Sequence, residues 1–534
     1  MVPDSTAPLL RVDRLRVAFA DAAAVDGVSF TVEPGERAAI VGESGSGKST
    51  IIKAILGLLP SSADEAGSIR FEGVDLASAS ERERRRIRGQ RIGFVPQDPL
   101  SSLNPLLRVG GQVTESPVVH RAVGRRSARA LAEDLLDRVG LPRHAKNASK
   151  FPHQLSGGMR QRALIAAGIA SDPALILADE PTSALDATVQ RRILDLLDEL
   201  SERTRASLLL VTHDLGVARD RADRILVMRD GRIVEEGRSA VVFSSPAHSY
   251  TQRLVSAVPR LDDGGVTTRA STDPPLLIAE GLDKTFHSRT ASGARVDHHA
   301  VRGVSFSLHR GETVAIVGES GSGKSTTARI VLGLVSPDAG TVSLDGIDVT
   351  GFTSAAARAR RPDLQAVFQD PSSSLDPRFS VARAIAEPLV VGRVGTKASR
   401  DARVTELLDR VGLATTLAGR RVTELSGGQR QRVAIARALA TAPSVVVCDE
   451  PVSALDVIVQ EQVLDLMAEL QRDLAVSYVL ITHDLGVVRR SAHRVLVMHD
   501  GSIVESGAVD DVLARPATDY TAELIRAVPA RVAA

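Results

Sequence analysis

Four stretches of this chain, residues 174–178, 208–211, 445–448 and 479–481, are apolar without interruption and too short to be helices. A strand that is apolar on both faces must be buried on both, which is the pattern of a parallel sheet covered by helices. Each run leads into a polar residue: Asp179, His213, Asp449 and His483. In open α/β sheets, ligands bind beyond the carboxyl ends of the strands. Another apolar run, 39–41, leads into a glycine-rich loop. From Ser49 the pattern then predicts a helix to Leu59, stopped by Pro60. Short alternating segments precede Phe19 and Phe286.

The pattern occurs twice. VGESGSGKST stands at 41–50 and 317–326, LSGG at 155–158 and 425–428, SALD at 183–186 and 453–456, and THDLGV at 212–217 and 482–487. The offset is 276 at the first motif and 270 at the other three, as two equivalent tandem domains require. A segment rich in Asp, Gly, Thr and Pro without apolar periodicity predicts a linker at 261–275, between domains at 1–260 and 276–534. Each domain closes with a related short helical segment, HSYTQRLVSAVP at 248–259 and TDYTAELIRAVP at 518–529.

Composition narrows the class. With 66 basic and 65 acidic residues the net charge is +1, which argues against a chiefly electrostatic nucleic-acid binder. No apolar run approaches the roughly 18 residues of a membrane helix, and the N-terminus lacks the basic segment and apolar core of a secretory signal. A soluble, cytosolic protein is expected. The single cysteine, Cys448, cannot form an internal disulfide, a zinc cluster or an iron–sulfur site, and reads as a small buried hydrophobe. The charge run at 81–91 reads as a solvated helix face. His298 and His299 have no second ligand pair nearby, so no metal is assigned to them, and His153 reads as a loop residue.

The glycine loops suit phosphate. Gly42 through Gly47 with Lys48 and Ser49, and Gly318 through Gly323 with Lys324 and Ser325, fit G-x-x-x-x-G-K-[ST]. Glycines let backbone N–H groups converge on phosphate oxygens, and the following helix adds its dipole and free amides. Binding residues are expected at Gly42, Ser44, Gly45, Ser46, Gly47, Lys48, Ser49 and Thr50, and at Gly318, Ser320, Gly321, Ser322, Gly323, Lys324, Ser325 and Thr326. The competing explanation, a glycine turn with a nearby lysine, must account for two such matches among seven lysines. Asp179 and Asp449 stand where a carboxylate holds Mg²⁺. Glu180 and Glu450 are placed to orient or deprotonate an attacking water. Alone, such an Asp-Glu pair starts a loop or caps a helix; here each follows a phosphate loop by about 130 residues. His213 and His483 are either packed residues or γ-phosphate contacts, and their constant spacing after the carboxylates favours the second. Gln97 and Gln369 are either ligands of Mg²⁺ and water or turn residues. The Mg²⁺ set is thus Ser49, Gln97 and Asp179 in one half, and Ser325, Gln369 and Asp449 in the other.

With these motifs both halves resemble the nucleotide-binding domain of ATP-binding cassette (ABC) proteins, over nearly the whole chain. The most specific element is LSGG, with Ser156, Gly157 and Gly158 in one half and Ser426, Gly427 and Gly428 in the other. The resemblance implies an α/β fold of two tandem P-loop NTPase domains. Each would have a RecA-like core with a mostly parallel sheet, an antiparallel β-subdomain and a helical subdomain. It also implies that the signature of one half caps the γ-phosphate held by the other, sandwiching two ATP, with Asp186 and Asp456 cross-linking the sites. Adenine stacking falls to Phe19 and Phe286, which otherwise are strand-core residues.

QDPLSSLNP at 97–105, QDPSSSLDP at 369–377 and the closing segments look like those of peptide- and nickel-type importers. The implied protein is the ATPase subunit of an importer of di- or oligopeptides or related small solutes, on the cytoplasmic face of the cell membrane. Its partners would be two transmembrane permease subunits and, indirectly, an extracytoplasmic substrate-binding protein, with no nucleic acid. Its cofactors would be ATP and Mg²⁺, without the iron–sulfur cluster that such relatives often carry. Two alternatives stand beside it. One is a soluble tandem-cassette translation factor acting on ribosomes, although those have a long charged linker. The other is the ATPase of an exporter.

Overall fold

The computed structural model describes residues 7–20, 22–142, 145–182, 185–259, 266, 273–289 and 295–528. Most of the expected linker at 261–275 lies outside them. The chain divides into two compact units, one chiefly of residues before 259 and the other chiefly of residues 259–528.

The first unit is built on a six-stranded sheet. Its order is Arg232–Arg238, Arg224–Arg229, Arg37–Gly42, Ser207–Thr212, Leu175–Asp179 and Ile92–Val95. All neighbours run parallel except the first pair, which is antiparallel. The central strands are the apolar runs of the sequence, and Ser207–Thr212 and Leu175–Asp179 are buried at every position. A second, antiparallel sheet pairs Leu10–Phe19 with Ala22–Val32 and Ala63–Phe71. Its inward residues Leu15, Phe30, Ile69 and Phe71 form one core with Ile40, Leu209 and the helix residues Ile51 and Ile52. The helix Lys48–Ile55 is therefore wedged between two sheets, and the loop that starts it is held on both sides. Arg224 joins the two sheets, donating from Nε to Glu36 Oε1 at 2.6 Å and from Nη2 to the Thr31 carbonyl.

The second unit repeats this plan. Its sheet is ordered Leu364–Val367, Val445–Asp449, Ser477–Ile481, Thr313–Val317, Arg494–His499 and Ser502–Ala508. An antiparallel sheet of Arg295–Leu308, Leu277–Arg289 and Ala339–Leu344 covers it. Arg494 bridges to Glu312 and the Ser307 carbonyl, as Arg224 does in the first unit. Cys448 is a buried core residue.

The helical segments lie between the glutamines and the signatures, and here the halves differ. Just before the helix Lys397–Arg410 the second unit has one continuous helix, Val381–Val391, with Pro388 inside it. The first has two short ones, Val109–Val113 and Glu115–Val119. The break falls at Thr114, whose hydroxyl donates back to the Gly110 carbonyl at 3.0 Å, next to two low-propensity glycines. The helix expected to reach Leu59 ends at Ile55. Gly57, at φ 60°, takes the left-handed turn, and its N–H donates to the Ala54 carbonyl. The run at 81–91 forms the exposed helix Glu81–Ile87, closed at its start by a reciprocal Ser80–Glu83 cap.

Leu209 is fully buried on the middle strand. Leu209→Ala is expected to destabilise the first unit by about 2–5 kcal/mol, seen as a lower denaturant midpoint. An unchanged midpoint would contradict this core assignment.

Candidate functional site

The phosphate loops are shaped by close backbone contact. Gly42 has φ 153°, and a Cβ there would lie 2.1 Å from the Met228 carbonyl oxygen. Gly47, at φ 99°, would meet the Ala24 carbonyl at 2.2 Å. Gly318 and Gly323 meet Met498 and Ala300 at the same 2.1 and 2.2 Å. Only glycine satisfies both the dihedral and the space. Lys48 Nζ donates to the carbonyls of Gly42 and Glu43 at 2.8 and 2.7 Å, and Lys324 Nζ to those of Gly318 and Glu319 at 2.7 Å each. Burial holds the Lys324 ammonium below the usual lysine range, against the pull of Glu450. The buried Ser46 hydroxyl has no hydrogen-bond partner among the described residues. A buried cation, an unanswered hydroxyl and the open amides of a helix start together fit an anionic, oxygen-rich ligand.

The carboxylates lie beneath each loop. Ser49 Oγ donates to Asp179 Oδ1 at 2.9 Å, and Ser325 Oγ to Asp449 Oδ1 at 3.1 Å. Burial pushes both aspartates above the usual carboxylate range, with Glu180 and Glu450 adding like charge. A hydroxyl and a carboxylate with an uncompensated burial cost are hard oxygen donors that fit Mg²⁺. Gln97 Nε2 donates to Glu180 Oε2 at 2.7 Å, and Gln369 Nε2 to Glu450 Oε2 at 2.8 Å. With the side-chain nitrogen of each glutamine bonded to a glutamate, the carbonyl oxygen is the atom that could serve a metal. His213 Nδ1 lies 3.1 Å from Glu180 Oε1, and His483 Nδ1 lies 3.2 Å from Glu450 Oε1. Burial alone would raise both glutamates, but the histidine contacts outweigh it and hold them low. The histidines are pushed up correspondingly, despite their own burial.

The structure thus brings Ser49, Gln97, Asp179, Glu180 and His213 into one cluster, and Ser325, Gln369, Asp449, Glu450 and His483 into its duplicate. Ser156 and Ser426 cap the helices Gly157–Ile169 and Gly427–Leu439. Gln429 also accepts the Ser426 N–H, a reciprocal bond that Met159 cannot make in the first half. Asp456 caps Val457–Leu474, and Asp186, buried, precedes Ala187–Thr204. Phe19 and Phe286 lie on antiparallel-sheet strands; Phe19 packs partly on the core, while Phe286 is 42% exposed with Lys284 Nζ 5.8 Å from its ring.

Two features escaped motif reading. Glu180 and Glu450 have φ 45° and 49°, left-handed for a residue with a Cβ. Such a conformation costs about 1–3 kcal/mol and persists only where the surroundings impose it. Here the Glu180 and Glu450 N–H groups donate to the Val211 and Ile481 carbonyls of the adjacent strands at 2.8 and 2.9 Å. Tyr250 and Tyr520 also touch the phosphate loops through their hydroxyls. Their one sequence signal was an equivalent place in the duplicated closing segment.

The ABC transporter family model matches residues 25–183 and again 301–453. The chain belongs to the ABC transporter family. The oligopeptide/dipeptide transporter C-terminal region matches at 234–290 and 504–533. This ABC chain is 42% identical to the oligopeptide transport ATP-binding protein OppD of Mycobacterium bovis, covering 98% of each chain. It is 42% identical to the glutathione import ATP-binding protein GsiA of Pectobacterium atrosepticum, over 95% of this chain and 86% of that one. It is 43% identical to the peptidoglycan transport ATP-binding protein YejF of Agrobacterium fabrum, over 99% and 97%. The chain is an ATP-binding transport ATPase with two ABC cassettes in one polypeptide. Relatives named for transport disfavour the ribosome-acting alternative.

Gly42→Ala together with Gly318→Ala is expected to abolish ATP binding and, because each Cβ would meet backbone, to lower stability as well, measured by nucleotide titration and a denaturant midpoint. Retained affinity would show that the loops do not need the close contacts seen here.

Proposed function

We propose that this ABC ATPase energises import of di- or oligopeptides or related small solutes, from the cytoplasmic face of the cell membrane. It would act with two membrane-spanning permease subunits and, through them, an extracytoplasmic substrate-binding protein. The oligopeptide/dipeptide C-terminal region, matched in both halves, is the observation that supports this substrate class. Among the described residues no helix is long and apolar enough to cross a membrane; the proposal places the translocation path in the permease subunits. We take the functional domains as 1–260 and 276–534, joined by 261–275.

In this proposal each loop binds the phosphates of one ATP. Lys48 and Lys324 exchange their loop carbonyls for β- and γ-phosphate oxygens. Mg²⁺ held by Ser49, Asp179 and the Gln97 carbonyl, and by Ser325, Asp449 and the Gln369 carbonyl, would supply neutralising charge to the phosphates. Glu180 and Glu450 orient the attacking water and accept its proton. His213 and His483 fix those glutamates and reach the γ-phosphate. Ser156 to Gly158 and Ser426 to Gly428 offer helix-start amides to a γ-phosphate, Asp186 and Asp456 follow each signature at the start of the next helix as further ATP-site residues, and Phe19 and Phe286 stack on adenine. Catalysis in this proposal is chiefly positional and electrostatic.

Glu180→Gln with Glu450→Gln is expected to lower steady-state hydrolysis at least about 100-fold while ATP binding persists; undiminished turnover would refute the base assignment. Affinity purification from solubilised membranes of the source cell is expected to recover two multi-span proteins. Recovery of ribosomes in their place would overturn the import proposal.

A further inference from the structure

The chain has three tyrosines, and two of them make the same contact. Tyr250, on the closing helix Ser249–Ser256 of the first unit, accepts at its hydroxyl the backbone N–H of Glu43 at 3.1 Å. Tyr520, on the closing helix Asp519–Ala527 of the second, accepts the N–H of Glu319 at 3.0 Å. Glu43 and Glu319 are the second residues of the two phosphate loops. Closing helix and loop lie about 200 residues apart in sequence, so local folding cannot make these bonds.

Each tyrosine is itself fixed. Glu235 accepts the N–H groups of Ala247 and His248 at 2.8 and 3.0 Å, pinning the start of the first closing helix. Glu505 does the same for Ala517 and Thr518 at 2.7 and 3.1 Å. The Arg229 guanidinium lies 5.0 Å from the Tyr250 ring centre, and the His499 ring lies 4.0 Å from that of Tyr520. Tyr250 is 1% exposed. Burial pushes the Tyr520 phenol up to about 12, so it stays neutral at physiological pH.

The opposite side of the same loop residue is held by the lysine. Lys48 Nζ donates to the Glu43 carbonyl and Lys324 Nζ to the Glu319 carbonyl, each at 2.7 Å. If the ammonium turns toward phosphate oxygens, that carbonyl loses its side-chain donor. The tyrosine bond does not involve the ammonium and can remain.

We propose that Tyr250 and Tyr520 are positioning residues that hold the phosphate loops in their ATP-receiving shape whether or not nucleotide is bound, which gives the duplicated closing segment a role at the ATP site. This rests on the loops being the ATP sites. An N–H left without an acceptor lets the Glu43 or Glu319 peptide rotate, and binding must then supply the ordering of the loop. The deficit falls on association with ATP; once the loop is ordered around phosphate, the chemistry is unchanged.

The test is Tyr250→Phe with Tyr520→Phe in the full chain, which keeps both rings and removes only the hydroxyls. The dissociation constant for ATP and its KM are expected to rise roughly 3- to 10-fold, with kcat at saturation within about twofold. Each single variant should weaken one site and give two-phase binding, and the singles decide the matter should the double variant not fold. Unchanged ATP affinity, or a fall in kcat at unchanged KM, would overturn the proposal. Lys48→Ala with Lys324→Ala separates it from the underlying assignment: if that variant binds ATP as well as the wild type, the loops are not the ATP sites, whatever the tyrosine variants do.

Discussion

The constraint on which each half depends is the approach of the phosphate loop to the strand that follows in space. The Gly42 backbone passes so near the Met228 carbonyl that no side chain fits between them, and Gly318 does the same at Met498. That contact fixes the loop against the sheet and starts the helix at Lys48 or Lys324 with its amides facing outward. Because the helix is wedged between two sheets, loop, helix and strand ends form one rigid frame. The Ser49–Asp179 and Ser325–Asp449 contacts follow directly, since a strand end and a helix start are brought within a hydrogen bond of each other.

The electrostatics of the frame are unfinished without a ligand. Asp179 and Asp449 are raised by burial, and Lys324 is lowered by it. Both shifts mark charges removed from water with incomplete compensation, which is how a folded protein prepares a site for ions of opposite sign. The glutamates differ: burial acts on them too, but a histidine contact and the loop lysine outweigh it and hold each one low. Adjacent carboxylates on one strand end are thus driven in opposite directions by their neighbours. That contrast supports the proposal of a metal position beside a water-orienting one.

Comparison of the halves shows which features the chemistry restrains. Loop glycines, lysine, serine, aspartate, glutamate, glutamine and histidine recur with nearly equal distances. The helical segment after the glutamine does not: it is continuous in one half and broken at Thr114 in the other. The signature helix is capped reciprocally by Gln429 in one half and singly in the other. Divergence collects on that helical segment and on the antiparallel strands, which are 10 and 11 residues long in the first half and 13 and 14 in the second, and it spares the ends of the parallel strands.

By itself the sequence determined the duplication, the buried parallel strands and the phosphate-binding loops. Each of these is written in short-range pattern: apolar runs with no alternation, a glycine spacing, and a lysine at a helix start. It also determined which residue types stand at the strand ends. It misjudged the length of the first helix, because a left-handed Gly57 stops the chain before Pro60 is reached. Only tertiary structure decided that Gln97 and His213 grip Glu180 from two sides, that Glu180 and Glu450 sit in a left-handed conformation, and that Tyr250 and Tyr520 reach the loops. Those relations join residues tens to hundreds of positions apart, and strand register and helix docking bring them within hydrogen-bonding distance. No local periodicity encodes a contact of that kind, so it became visible only once the sheets and the closing helices were in place.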